Sequence, residues 1–212
     1  MRAVLLALVL CPTVCAASVV SPATDFAVEE HWGTTYPSGP PTSATLTSYW
    51  QPLERSTYLG ALVEVRSFVE YDSASLRAKG NGQWSLTLAY TQDQYNPHYW
   101  VDQVEVYRYE GDGRQSIGKF DSGDLLASVS LQTRVPGSFT VDVTDAVSDA
   151  FAGNWPYLGF GFRLPYGAGQ ELLCYQRPDL SFAPVPEPSC LLLLASSAFL
   201  LSGFRRLSVG GK

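Results

Sequence analysis

The densest group of side chains that could contact a ligand lies near the middle of the chain and reads Tyr95-Asn96-Pro97-His98-Tyr99-Trp100. Aromatic faces stack on the C–H surfaces of sugars, while Asn and His side chains supply hydrogen bonds. A loop with this mixture suits a glycan site. The candidate glycan-binding residues are therefore Tyr95, Asn96, His98, Tyr99 and Trp100. The alternative is a loop whose rings pack over the end of the fold with their polar tips satisfied.

Two further tyrosines, Tyr107 and Tyr109, lie on one face of a predicted strand. They either extend the aromatic surface or cover the sheet. The turn sequence Asp121-Ser122-Gly123-Asp124, together with Asp112, offers oxygen ligands of the kind that calcium takes, although such clusters also form plain turns. We expect the turn, and predict no bound metal.

Motifs of catalytic or metal chemistry are absent from the sequence. His31 and His98 are the only histidines, and no His-x-x-x-His, Cys-x-x-Cys or Gly-x-Ser-x-Gly motif occurs. Zinc sites and a nucleophile elbow are therefore not indicated. Glu29, Glu30 and His31 could form a metal or acid–base site, but we expect a solvated N-terminal segment there. We predict no catalytic residue and no cofactor.

The elements that must position these residues are predicted to be short β-strands. Apolar and polar residues begin to alternate near Tyr58, after residues 17–52, which are rich in Ser, Thr, Pro and Gly and include a loop at residues 36–41. Alternation recurs in residues 59–69, 84–90, 104–107, 125–131, 139–143, 158–164 and 172–176. The turn at residues 110–113 is expected to reverse the chain toward residues 115–120. Short strands separated by turns predict an all-β fold, an antiparallel β-sandwich of jelly-roll type.

One short helix is predicted within this pattern. Thr144 can cap it, Asp145 favours its N-terminus and Gly153 ends it. Its buried stripe is predicted to be Ala146, Val147, Ala150 and Phe151. A second helical turn is placed at residues 73–76, with Asp72 or Ser73 as its cap.

Two stretches in this region share a family pattern. Residues 66–76 read Arg-Ser-Phe-Val-Glu-Tyr-Asp-Ser-Ala-Ser-Leu before the strand at Trp84, and residues 141–147 precede a glycine-bounded strand. Both resemble the DNRLRE jelly-roll modules, which are similar to carbohydrate-binding sandwiches. The resemblance covers roughly residues 62–164.

The N-terminus is predicted to be a signal peptide, residues 1–17. Arg2 forms a short positive region, residues 4–10 are apolar, and small residues around Ala16 suit cleavage. The exported domain is then residues 18–183. Of the four cysteines, only Cys174 falls in that domain, so no disulfide can form within it and the fold must rest on packing. The net charge of −6 excludes nucleic acid as an expected partner.

The C-terminus, residues 184–212, is predicted to be a second targeting segment. It contains a proline motif at residues 185–188, an uncharged apolar span at residues 189–204 and a basic tail at residues 205–212. The span is slightly shorter than the ~30 Å hydrocarbon core at 1.5 Å per residue, and it becomes usable if the bilayer thins. Arg205 and Arg206 directly behind it suit a membrane stop on the cytoplasmic side.

This order of motif, span and basic cluster resembles the PEP-CTERM sorting signal of bacterial envelope proteins. The resemblance implies that Pro186, Glu187 and Pro188 are recognised by exosortase, a transpeptidase-like membrane enzyme. It implies that residues 189–204 anchor the protein in the membrane before processing. Hosts of this system often make extracellular polysaccharide.

Together these features predict an exported cell-surface or extracellular-matrix protein without catalytic activity, associated with exopolysaccharide or binding glycans. The alternatives are an extracellular polysaccharide hydrolase and an adhesin that binds other proteins.

Replacing Pro186, Glu187 and Pro188 together with Ala removes the motif and leaves the apolar span intact. We expect the variant to stay uncleaved and membrane-held in a host with exosortase, as seen by immunoblotting of cell fractions. A variant that is processed and released like the wild type would show that this reading of the motif is wrong.

Overall fold

The computed structural model describes residues 17–33, 40–58, 61–92, 101–131, 136–165, 170–174 and 176–185. The signal peptide up to residue 16, the motif Pro186-Glu187-Pro188, the span 189–204 and the arginine pair lie outside these residues and stay predictions. Among the residues that the structure describes, no helix has the length and apolar character needed to cross a membrane.

Strands dominate the described residues. In chain order they are β1 (Ser18–Val20), β2 (Thr24–Trp32), β3 (Ser43–Thr47), β4 (Leu53–Tyr58), β5 (Ala61–Asp72), β6 (Gly82–Gln92), β7 (Gln103–Gly111), β8 (Asp124–Ser130), β9 (Gly137–Asp142), β10 (Tyr157–Arg163), β11 (Gln170–Cys174) and β12 (Asp179–Pro184).

The strands form two antiparallel layers. Sheet I has the order β1-β12-β6-β9, and sheet II has the order β3-β2-β5-β10-β7-β8. Strands β4 and β11 connect the layers, because β4 pairs with β5 while β11 pairs with both β4 and β6. The pairing confirms the predicted all-β fold of two antiparallel sheets, a β-sandwich. Its jelly-roll character stays a prediction.

Apolar side chains of the two sheets meet in one core. Alternate residues of β6 point into it, including Leu86 and Leu88, and β5 contributes Tyr71 from the opposite layer. The Tyr71 ring meets the edge of Phe160 on β10 at 6.1 Å between centroids, and its hydroxyl donates to the Pro178 carbonyl oxygen at 3.0 Å. The period-2 pattern in the sequence therefore identifies this core correctly.

Two short α-helices are present in the described residues, α1 (Ser73–Arg77) and α2 (Thr144–Ala152), and a single 3-10 turn covers Ile117–Lys119. The fold class with one short helix is corrected in this respect, because the helical turn placed at residues 73–76 is a helix. Asp72 caps it by accepting from the Ser75 backbone N–H at 2.9 Å. The Ser75 hydroxyl also donates to Asp72, at 2.6 Å, and this bond, followed by the backbone bond, lowers the pKa of the Asp72 carboxyl.

The start of α2 differs from the prediction. Thr144 is its first helical residue and not its cap, and the preceding Val143 makes no side-chain cap hydrogen bond. The Thr144 hydroxyl instead accepts from the Trp84 backbone N–H at 2.9 Å, which ties the helix to β6. Ala146, Val147 and Ala150 are buried as predicted, and Phe151 packs against the core while partly exposed.

One further expectation is wrong. Residues 17–52 contain β1, β2 and β3, because pairing with β12, β5 and β2, respectively, outweighs their turn-rich composition. The chain does reverse after β7, since β8 pairs antiparallel with it. Residues 112–123, which make this reversal, cross the face of sheet II that points away from sheet I, and we call them the covering loop.

Glycine at position 159 is required by packing. A Cβ atom on Gly159 would overlap the ring of Tyr109, which lies across β10. We expect Gly159→Ala to lower the free energy of unfolding by about 1–3 kcal/mol, as overpacked cores do, in urea titration. Gly33→Ala is the matched control, since nothing lies within 4 Å of its added carbon; equal stability of the two variants would contradict the packing account.

Candidate functional site

The outer face of sheet II, turned away from the sandwich core, is built on a strand that is buried on both sides. On β5, Val69 and Tyr71 face the core, while Glu64, Arg66 and Phe68 lie on the opposite, outward face. Glu64 is nevertheless 0% exposed and Arg66 only 6% exposed. Charged residues in such positions must be paired, because an isolated buried charge is strongly unfavourable.

The pairing is supplied by neighbouring strands. The Glu64 carboxylate accepts from Arg55 Nη2 of β4 at 2.5 Å and from Arg66 Nε at 2.5 Å. All three side chains are nearly inaccessible to solvent. The network therefore fixes β4 and the outward side chains of β5 relative to one another.

The covering loop closes over this network. Arg66 Nη1 donates to the carbonyl oxygen of Phe120 at 2.5 Å and to Asp121 Oδ1 at 3.0 Å. The Arg66 guanidinium lies 3.8 Å from the centre of the Phe120 ring, and that ring packs against Trp32 at 5.4 Å. Contacts to one buried arginine thus hold the C-terminal part of the loop.

The N-terminal part of the loop is held by a second buried carboxyl. Glu70 Oε2 accepts from the Gly113 backbone N–H at 2.7 Å, and Lys119 Nζ lies 3.9 Å from Glu70 Oε1. Burial raises the pKa of Glu70, and it raises the pKa of the neighbouring Tyr109 hydroxyl well above its usual value. Both groups are enclosed by the loop, so their role is to position it.

Between the loop and β10 a pocket of about 100 Å³ remains open. Gly161 of β10 contributes no side chain to it, and a Cβ atom there would lie 3.1 Å from the Phe68 ring. The lining includes Arg66, Tyr107, Phe120, Asp121, Ser122 and Arg163. Since liquid water occupies about 30 Å³ per molecule, the space suits a small polar group.

Arg163 is held firmly at the edge of this pocket. Its guanidinium stacks on the Tyr107 ring, 4.1 Å from the ring centre, and its Nε donates to Glu105 Oε2 at 2.6 Å. The Tyr107 hydroxyl donates to the same carboxylate oxygen at 2.9 Å. Two constraints therefore fix the direction in which the remaining guanidinium N–H groups point.

The predicted glycan-binding residues are not placed by the structure. Tyr95, Asn96, His98, Tyr99 and Trp100 lie outside the described residues, between β6 and β7. Tyr107 and Tyr109 do share one strand face, as predicted. Their roles differ, because Tyr109 is buried under the loop while Tyr107 lines the pocket.

The acidic and histidine clusters are placed as follows. His31 lies on β2 and its Nε2 is 2.6 Å from Glu29 Oε1, so the predicted solvated segment is a strand. Glu30 is buried and its side chain lies on the opposite face of β2 from those of Glu29 and His31. Asp121 is paired with Arg66, and Asp112 lies 3.4 Å from Lys119 Nζ. Within the described ranges, no three His, Cys, Asp or Glu side chains gather to hold a metal ion.

Sequence reasoning missed Arg66 and Arg163 as pocket residues. The alternation in residues 59–69 predicts that Glu64 and Arg66 lie on the face opposite the valines, but it does not indicate what covers that face. The available signal was Gly159 and Gly161, which alternate with Phe160 on β10 and leave its outer face without side chains. Two glycines on the outer face of one strand, next to outward-facing charged residues, indicate that side chains or a loop pack against that face.

Comparisons with known proteins establish no family. No protein-family model matches the chain, and no curated protein matches it. Among solved structures it is similar to "The structure of CBM51-2 in complex with GlcNAc and INT domains from Clostridium perfringens ZmpB", with 10% identity and a TM-score of 0.27. The alignment covers 79% of this chain and 30% of that chain.

The buried carboxyl of Glu30 should make stability depend on pH. Burial, and then the charge of Asp121, raise its pKa from 4.5 to about 7, while Arg66 partly opposes them. Between these pH values the folded state retains a proton that the unfolded state releases, so the free energy of unfolding falls as pH rises through this window. We expect Glu30→Gln to remove this component, which amounts to up to about 3 kcal/mol.

Urea unfolding at intervals from pH 4 to 8 measures this dependence. Glu110→Gln, which changes an exposed carboxyl on β7, is the matched control and should follow the wild type. If the Glu30 and Glu110 variants show the same pH dependence, the assignment to Glu30 is wrong.

Proposed function

We propose that this protein is an exported, non-catalytic envelope protein whose β-sandwich binds extracellular polysaccharide. The observation that carries the proposal is the pocket on the outer face of sheet II. Its lining combines guanidinium groups, a carboxylate, a hydroxyl and an aromatic side chain, here Arg66, Arg163, Asp121, Ser122 and Tyr107. A concave site with a few fixed polar groups is the usual form of a small-ligand site.

The arrangement of carboxyl groups favours binding over hydrolysis. Glycoside hydrolysis generally uses two carboxyl groups that face the scissile bond, about 5–10 Å apart. Among the described lining residues, Asp121 is the single acidic one, and it is paired with Arg66. Glu105 beside the pocket is paired with Arg163 and Tyr107, so the described residues place no second unpaired carboxyl group at the pocket.

The aromatic stretch between β6 and β7 is the second proposed contact. Tyr95, Tyr99 and Trp100 would stack on sugar rings, while Asn96 and His98 would supply hydrogen bonds. The support here is the sequence pattern.

Delivery to the envelope is proposed from the two ends of the chain. Residues 1–17 would direct export, and residues 184–212 would act as a PEP-CTERM signal read by exosortase. Residues 189–204, stopped by Arg205 and Arg206, would hold the protein in the membrane until processing. The protein would then remain at the cell surface or in the extracellular matrix.

Trp100→Ala tests the binding proposal. Loss of one stacking contact, on the order of 1 kcal/mol by analogy with aromatic pairs, should weaken binding several-fold in calorimetric titration of the full chain with host exopolysaccharide. We expect the melting temperature to stay unchanged. Trp50→Ala is the comparison for a packing role, because Trp50 meets the edge of Phe162 at 5.1 Å and its loss should lower the melting temperature.

Three results would contradict the proposal. A Trp100 variant that melts earlier with unchanged binding would assign that ring to packing. Release of reducing sugar from the polysaccharide would indicate the hydrolase. Binding of the full chain to surface proteins but to no polysaccharide would indicate the adhesin.

A further inference from the structure

We infer that the pocket over Gly161 takes the carboxylate of an acidic sugar, such as a uronic acid, with Arg163 and Arg66 as its donors. This inference rests on the proposed polysaccharide-binding function and names the chemical class that the site would select. Nothing in the sequence pattern of the aromatic stretch distinguishes acidic from neutral sugars, so the pocket supplies the selectivity.

The first argument is charge. Arg66 and Arg163 are the cationic side chains that line the pocket, and each already pairs with a carboxylate, Glu64 and Glu105 respectively, on one side of its guanidinium group. A ligand carboxylate between the two guanidinium groups would form further charge-assisted hydrogen bonds. Asp121, which also lines the pocket, would oppose a second negative charge on the ligand, so a monoanion fits better than a dianion such as phosphate.

The second argument is the supply of hydrogen-bond donors. Arg163 uses Nε for Glu105, and the described residues provide no hydrogen-bond partner for its Nη1 and Nη2. Arg66 uses Nε and Nη1 for protein acceptors, and the described residues likewise leave its Nη2 without a partner. Guanidinium N–H groups in a fixed plane bind carboxylates in a bidentate manner.

The third argument is rigidity. Arg163 is fixed by the Tyr107 ring and by Glu105, and Arg66 is fixed by Glu64 and the covering loop. Side chains that are already immobilised lose little conformational entropy when a ligand binds. The pocket is therefore preorganised for an anion.

The fourth argument is size. A cavity of about 150 Å³ accommodates a benzene molecule, and this pocket measures about 100 Å³. It therefore holds a carboxylate and the carbon that bears it, while the sugar ring stays at the rim. There Asp121 can accept a hydrogen bond from a ring hydroxyl and the Ser122 hydroxyl can also bond to it.

The test is a calorimetric titration of the full chain with an oligoglucuronate and with the oligoglucose obtained by reducing its carboxyl groups. We expect the reduced oligosaccharide to bind at least tenfold more weakly. Arg163→Gln should abolish this preference, and Arg163→Lys should restore part of it, because Lys keeps the charge without the planar fork. Arg108→Gln is the matched control, since Arg108 pairs with Asp149 away from the pocket, and it should behave like the wild type.

The outcomes separate this inference from the proposed function. Equal binding of the two oligosaccharides to the wild type, a comparison that needs no variant, overturns the inference and leaves polysaccharide binding in place. Inorganic phosphate that binds the wild type as tightly as the oligoglucuronate also overturns it. Binding of neither oligosaccharide and of no host polysaccharide means that the proposed function itself fails.

Discussion

Burial of a charged pair on the central strand of sheet II constrains most of this structure. Glu64 on β5 is fully buried, and a carboxylate there is tolerable only with partners in good geometry. Arg55 and Arg66 supply them, but Arg66 then needs acceptors of its own. The covering loop provides these through Phe120 and Asp121, so one buried carboxylate determines both the approach of β4 and the position of the loop.

Absent side chains matter as much as the charges. Gly159 lets the Tyr109 ring lie across β10, and Gly161 leaves the floor of the pocket empty. A Cβ atom at either position would meet an aromatic ring, so the loop, the rings and the pocket depend on the same two glycines. Thus the packing of the outer face and the shape of the candidate site both result from the alternation of glycine with large apolar residues along β10.

Features that depend on neighbouring residues could be predicted from the sequence. Alternation predicts the strands that supply the core, such as β6, and the cap of α1 could be narrowed to Asp72 or Ser73 because capping acts within one turn. The pocket could not be predicted, because Arg66 and Asp121 are 55 positions apart and meet only through the pairing of β5, β10 and β7. The same reason explains β2: its turn-rich surroundings gave no local signal, and its partner lies on β5.

Stability alone does not explain the charges on this face. Replacing a whole buried ion network with well-packed apolar residues is often neutral or stabilising, so stability alone does not require Arg55, Glu64 and Arg66 at these positions. What apolar residues could not provide is a rigid guanidinium group in the lining of a pocket. The hypothesis that the network exists to hold Arg66 therefore makes Glu64 a positioning residue, and it connects this buried carboxylate to the candidate site.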